Sequence, residues 1–99
     1  MTTIRAQRLA EQIKMIFSNM LLRDIRDPRL QDLTVTQVTV DREIAHANIY
    51  VNALGDETRK RDVMKALDKA AGFVRREIAQ NVNTRSVPQI HFHWDPTLA

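Results

Sequence analysis

The chain has 99 residues, 43% of them apolar and 27% charged, a single-domain length with room for one modest core. The absence of cysteine excludes a disulfide framework or a thiolate metal site, and two glycines with five aromatics are too few for a turn-rich β-sandwich or barrel. The net charge of +3 is unevenly spread: residues 59–76 hold seven basic side chains against two acids, while the segments on either side each sum to −1, so an anionic partner is favoured for that one segment.

The first 22 residues, "MTTIRAQRLAEQIKMIFSNMLL", are interrupted by charge too often for a signal peptide or a membrane span, which points to the cytoplasm. Within them Leu9, Ile13, Ile16, Phe17 and Met20 recur at helical spacing and predict an amphipathic helix over roughly residues 4–23. The stretch "RDIRDPRLQD" follows and, with Pro28 and its mixed charges, predicts a loop. Two β-rich runs, "LTVTQVTV" and "IAHANIYV", flank "DRE" and predict a hairpin. In the second run Ala45, Ala47, Ile49 and Val51 face one way, while His46, Asn48 and Tyr50 face the other. The first run changes phase, from Leu33 and Val35 to Val38 and Val40. Either a bulge near Thr36–Gln37 or burial of both faces would account for that change.

Gly55 and Asp56 end the second strand, with Asp56 as N-cap of a second helical stretch. "PQIHFHW" then predicts a third strand with Ile90, Phe92 and Trp94 facing inward. The order helix, strand, strand, helix, strand gives an α+β fold, a three-stranded sheet with helices on one face. No linker or repeat divides the chain, so residues 1–99 are expected to be one domain.

The stretch "VMKALDKAAGFVRREIA", residues 63–79, is helical in character at every position except Gly72. At 100° per residue Val63, Leu67, Ala70, Val74 and Ile78 share one stripe, the expected core face. Arg61, Lys65, Asp68, Gly72 and Arg76 lie opposite, with Lys69 at the edge. Glycine inside a helix costs about 1 kcal/mol relative to alanine, and nothing on a solvent face excludes a side chain. Three readings stay open. The helix kinks or breaks at Gly72, using dihedrals that glycine tolerates. A nucleic-acid backbone approaches too closely for a Cβ. Or the glycine is merely tolerated on a solvated face. The kink is the expectation, with the basic side chains arrayed around it.

Taken in order, "DPRL" at 27–30, the "VTV" run ending in Asp41, "IYVNALG" at 49–55, "ALDKAAGFVRREIA" at 66–79 and "VPQIHFHWD" at 87–95 form a set that covers nearly the whole chain. This ordered set resembles the bacterial ribosome-binding factor A family of ribosome-assembly factors. The resemblance implies a type II KH-like domain, with its helical stretch divided at an Ala-x-Gly kink that would be Ala70, Ala71 and Gly72. The GXXG tetrad with which an ordinary KH domain clamps nucleotides is absent from this chain. Family members often carry a longer basic carboxyl-terminal tail, and this chain stops at Ala99. Also implied are binding to the free small (30S) ribosomal subunit through 16S rRNA, a role in its late maturation and in precursor rRNA processing, and support of growth in the cold. The candidate RNA-binding residues are then Arg61, Lys65, Lys69, Ala70, Ala71, Gly72, Arg75 and Arg76.

Other chemistries find little support. His91 and His93 alternate on one strand and project from one face near His46, but no third ligand is offered, so they are read as outer-face polar residues. Neither Ser18 nor Ser86 sits in a nucleophile elbow, and no glycine-rich phosphate loop is present. Asp24 and Asp27 lie among Arg23, Arg26 and Arg29, where ion pairing explains them. The expectation is a monomeric binding factor, not an enzyme, with no cofactor, metal, membrane or small-molecule substrate. The competing reading is a protein-interaction module that uses the open sheet face around Tyr50 and the histidines.

Overall fold

A computed structural model describes residues 3–96. Residues 1, 2 and 97–99 of the expected domain lie outside the described residues. Helix α1 runs Ile4–Arg23, with the Thr3 hydroxyl accepting the Ala6 N–H at 3.1 Å as its N-cap. Its apolar stripe buries Ala6, Leu9, Ala10, Ile13, Phe17 and Met20. The loop after it tightens into a 3₁₀ turn, Pro28–Leu30, capped by the Asp27 carboxylate and anchored by the buried Leu30. Strands β1 (Thr34–Val40) and β2 (His46–Asn52), helix α2 (Glu57–Asn81) and strand β3 (Gln89–Trp94) complete the fold. Among these helices none is long and apolar enough to cross a membrane.

The sheet order is β1-β2-β3, with β1 antiparallel and β3 parallel to β2. The change of phase in the first strand is a bulge: Val35 pairs with Val51 and Gln37 with Tyr50, leaving Thr36 as the extra residue. The bulge lets Val35, Val38 and Val40 all lie opposite the inward residues Val51, Ile49 and Ala47. Thr36 then uses its hydroxyl across the sheet, 2.6 Å from the Asp95 carboxylate. The Asp95 carbonyl also accepts the Asn52 side-chain N–H at 2.5 Å, which satisfies a buried amide. The hairpin turn is held by Asp41, whose Oδ1 accepts the N–H groups of Ala45 (2.7 Å) and His46 (2.8 Å). Those bonds, the one from His46 foremost, keep the Asp41 carboxyl below the usual carboxylate range. They also hold Ile44 at φ 58°, a left-handed conformation that a β-branched residue rarely adopts. Ala45, expected on the inner face, is exposed and precedes the strand, because the turn occupies it.

Both helices lie on one face of the sheet. The core joins Ala47, Ile49 and Val51 of the central strand to the stripes of α1 and α2, and Phe17 meets Phe92 of β3 at 5.5 Å between ring centres. Ile90, Phe92 and Trp94 pack against this core, as their alternation predicts. In α2 the buried residues are Val63, Ala66, Leu67, Val74 and Ile78, with Ala70 packed beside them.

A break of this helix at Gly72 is not found. α2 is one uninterrupted helix of 25 residues, and Gly72 lies within it without a left-handed φ. The reason is burial on both sides of the glycine: each fully buried Val, Leu or Ile contributes about 1.5–3 kcal/mol, against about 1 kcal/mol lost to glycine propensity. A Cβ at Gly72 would meet nothing within 4 Å, so no packing inside the molecule demands a glycine either. The glycine that the backbone does require is Gly55. Its φ is +139°, and a Cβ there would sit 2.7 Å from Cβ of Arg59 and 2.8 Å from its Cγ.

Urea melts should therefore separate the two glycines. Gly72→Ala is expected to raise stability by about 1 kcal/mol, whereas Gly55→Ala should lower it by about 1–3 kcal/mol. A second expectation concerns acid. Asp27 accepts from the Arg29 guanidinium at 2.7 Å, and Arg29, with its backbone N–H next, brings the carboxyl from its ordinary 3.8 to about 2. The unfolded chain thus binds a proton here before the folded one does, so this contribution is complete above pH 4 and is lost as pH falls toward 2. Asp27→Asn should be less stable than the parent at pH 6, with the gap closing in melts at pH 3 and below.

Candidate nucleic-acid interface

Helix α2 starts under tight control. Asp56 caps it through the Arg59 N–H at 3.1 Å, and the Arg59 side chain folds over Gly55 to donate from Nη2 to the Gln31 carbonyl at 2.6 Å. Near the far end, Nη2 of Arg75 donates to the Val87 carbonyl at 3.1 Å, tying the helix to the segment that enters β3. Two of the seven basic residues in the positive segment are therefore braces. Lys60 is half-buried at the start of the helix. Arg61, Lys65, Lys69 and Arg76 remain as exposed cations on the outward face, with Gly72 among them.

The structure thus brings together most of the expected residues and sorts them. Arg61, Lys65, Lys69, Gly72 and Arg76 share the outward strip; Arg75 is exposed at its margin, with its guanidinium engaged. Ala70 faces the core and Ala71 is half-buried, so neither belongs to the strip. Among the described residues the one ion pair is Asp27–Arg29, so none of the strip's cations is held in an ion pair, although the exposed Asp68 lies on the same face. The 3₁₀ turn packs against α2, and Lys69 stands close enough to Asp27 to help depress its carboxyl. The exposed Arg26 lies in the same loop, next to the exposed Arg23 at the end of α1, so this region adjoins the strip.

The outer face of the sheet has a different chemistry. Nδ1 of His46 is 2.9 Å from Nε2 of His91, Nε2 of His93 is 2.8 Å from the side-chain Oδ1 of Asn48, and Tyr50 stacks on His93 with ring centres 4.9 Å apart. These residues form a polar, hydrogen-bonded surface, and among the described residues no three His, Asp or Glu side chains are grouped to hold a metal. Sequence periodicity did not single out the bracing roles of Arg59 and Arg75, which depend on loops distant in sequence. It also passed over Phe73, whose exposure was available as a signal, since it lies off the apolar stripe.

Comparison with known proteins bears on what this surface serves. The family model for ribosome-binding factor A matches residues 5–99. A ribosome-binding factor A from Pseudomonas fluorescens is 37% identical over 97 residues, covering 96% of this chain and 73% of that protein. The crystal structure of ribosome-binding factor A from Thermus thermophilus superposes with a TM-score of 0.79 at 26% identity, over 90% of this chain and 93% of that one. A homology model of the Thermus thermophilus protein, fitted into a cryo-EM map of its complex with 30S, superposes with a TM-score of 0.73 at 26% identity, over 89% and 91% of the two chains. With nearly its whole length matched, the chain belongs to the ribosome-binding factor A family.

Proposed function

We propose that this protein binds the free small ribosomal subunit through 16S rRNA, using the outward strip of α2, and acts as an assembly factor rather than an enzyme. The observation that carries this reading is the placement of Arg61, Lys65, Lys69 and Arg76 as exposed cations along one helix face, none of them in an ion pair among the described residues. Such a row suits the phosphates of a folded RNA, whose condensed counterions are released on binding. The relative fitted into a 30S complex supports the choice of the small subunit as the partner. Late maturation of the subunit, processing of precursor rRNA and growth in the cold follow as the setting in which such a factor acts. The cytoplasm follows as its location. Arg23 at the end of α1 and Arg26 in the neighbouring loop widen the positive surface, whereas Arg29 is occupied by Asp27.

Replacing Lys65, Lys69 and Arg76 with alanine should weaken co-sedimentation with free small subunits and flatten its salt dependence, by about 0.7–0.9 in log–log slope for each phosphate no longer neutralised. Folding should be little changed, because exposed charges contribute under about 1 kcal/mol each. A triple variant with the parental salt slope would place the RNA surface elsewhere. Binding that is insensitive to salt would favour the outer sheet face and a protein partner.

A further inference from the structure

Phe73 is the one aromatic residue, among those described, that neither pairs with another ring nor belongs to or packs against the core cluster. Phe17 and Phe92 pair inside the core at 5.5 Å, Tyr50 stacks on His93 at 4.9 Å, and Trp94 packs against the core. Phe73 is 37% exposed and outside the core cluster, and among the described residues its ring meets no other ring. Residues three and four apart on a helix are neighbours. Lys69 therefore stands one turn before Phe73 and Arg76 one turn after it, both exposed. Alongside, Gly72 adds no side chain, and the space where its Cβ would lie is open. An exposed ring between two cations, with bare helix backbone beside it, suits a nucleobase lying flat while its phosphates meet the charges. An apolar protein partner would use the ring but leave both cations unpaired. A duplex would use the cations but has no unstacked base to offer the ring.

We propose that Phe73 is a stacking platform for an unpaired base of single-stranded RNA, with Lys69 and Arg76 on the phosphates to either side. The proposal rests on the strip of α2 being the RNA surface, and it gives that surface a preference for single strands that charge alone cannot supply.

The test is anisotropy of a labelled single-stranded RNA of about twelve nucleotides, free and annealed into a duplex. Phe73→Ala should weaken single-strand binding about tenfold and duplex binding less than about twofold, with the salt slope unchanged. Phe73→Trp should restore binding, whereas Phe73→Leu, which keeps apolar bulk without a π face, should not. Gly72→Leu should fold, since the site has room, and should weaken single-strand binding by covering the bare patch. Urea melts verify that each variant is folded. Unchanged affinity in Phe73→Ala, equal losses on single and double strands, or full rescue by leucine would each overturn the stacking role. The strip reading survives those outcomes provided the Lys65, Lys69 and Arg76 triple variant still flattens the salt slope. A parental slope in that variant removes the strip reading and the stacking role together.

Discussion

The parallel pairing of β2 with β3 is the constraint from which the rest of the architecture follows. Parallel neighbours cannot be joined by a tight turn. The chain must leave the end of β2, return along the length of the sheet and enter β3 from the same end as it entered β2. Helix α2 is that return path. At 1.5 Å per residue its 25 residues span about 37 Å, which equals the longest dimension of the molecule, 37 Å. A crossover helix has one face on the sheet and one face away from it. Once Val63, Leu67, Val74 and Ile78 are committed to the core, Arg61, Lys65, Lys69 and Arg76 have nowhere to point but outward.

Such a helix displays its charges usefully only if its ends are fixed. At its start the left-handed Gly55 turns the chain, Asp56 caps the first turn, and Arg59 crosses over the glycine to the Gln31 carbonyl. Toward its end Arg75 reaches back to Val87. Basic residues in one run thus serve two purposes, some bracing the helix against loops and some left to solvent. A charge count treats them alike, and only the fold separates them. One end of the sheet has its own lock, in which Thr36 of the bulge and Asn52 of the central strand both close on Asp95.

Much of this was legible in the sequence because periodicity is a local property. The bounds of α1, the Asp56 cap and the inward set of β3 all follow from spacing and turn chemistry, and the bulge at Thr36 was one of two readings of the phase change that spacing left open. The outward strip was legible for the same reason, since it is the complement of an apolar stripe. What spacing could not give was the outcome of a competition. A glycine among alanines favours a break if only local propensity is weighed, but the helix is pinned to the core on both sides of Gly72, and that burial outweighs the local cost. Nor could spacing show that Ala45 falls in the turn, because the turn is set by where the Asp41 carboxylate finds its two N–H donors.

The two glycines show how the strip relates to the fold. Gly55 answers to the molecule itself: its φ and the approach of Arg59 leave no room for a side chain. Gly72 answers to nothing inside it, being helical, outward-facing and bordered by empty space. A deficit of about 1 kcal/mol is a noticeable share of a domain's total stability of about 5–15 kcal/mol. The fold gains nothing in return from placing that deficit at the centre of a row of exposed cations, beside an aromatic ring that the core does not use. On the proposed reading the demand for a bare backbone at that point comes from the RNA, on the face that Lys69, Phe73 and Arg76 also present. The absence of a side chain is in this sense part of the surface, as much as the charges are.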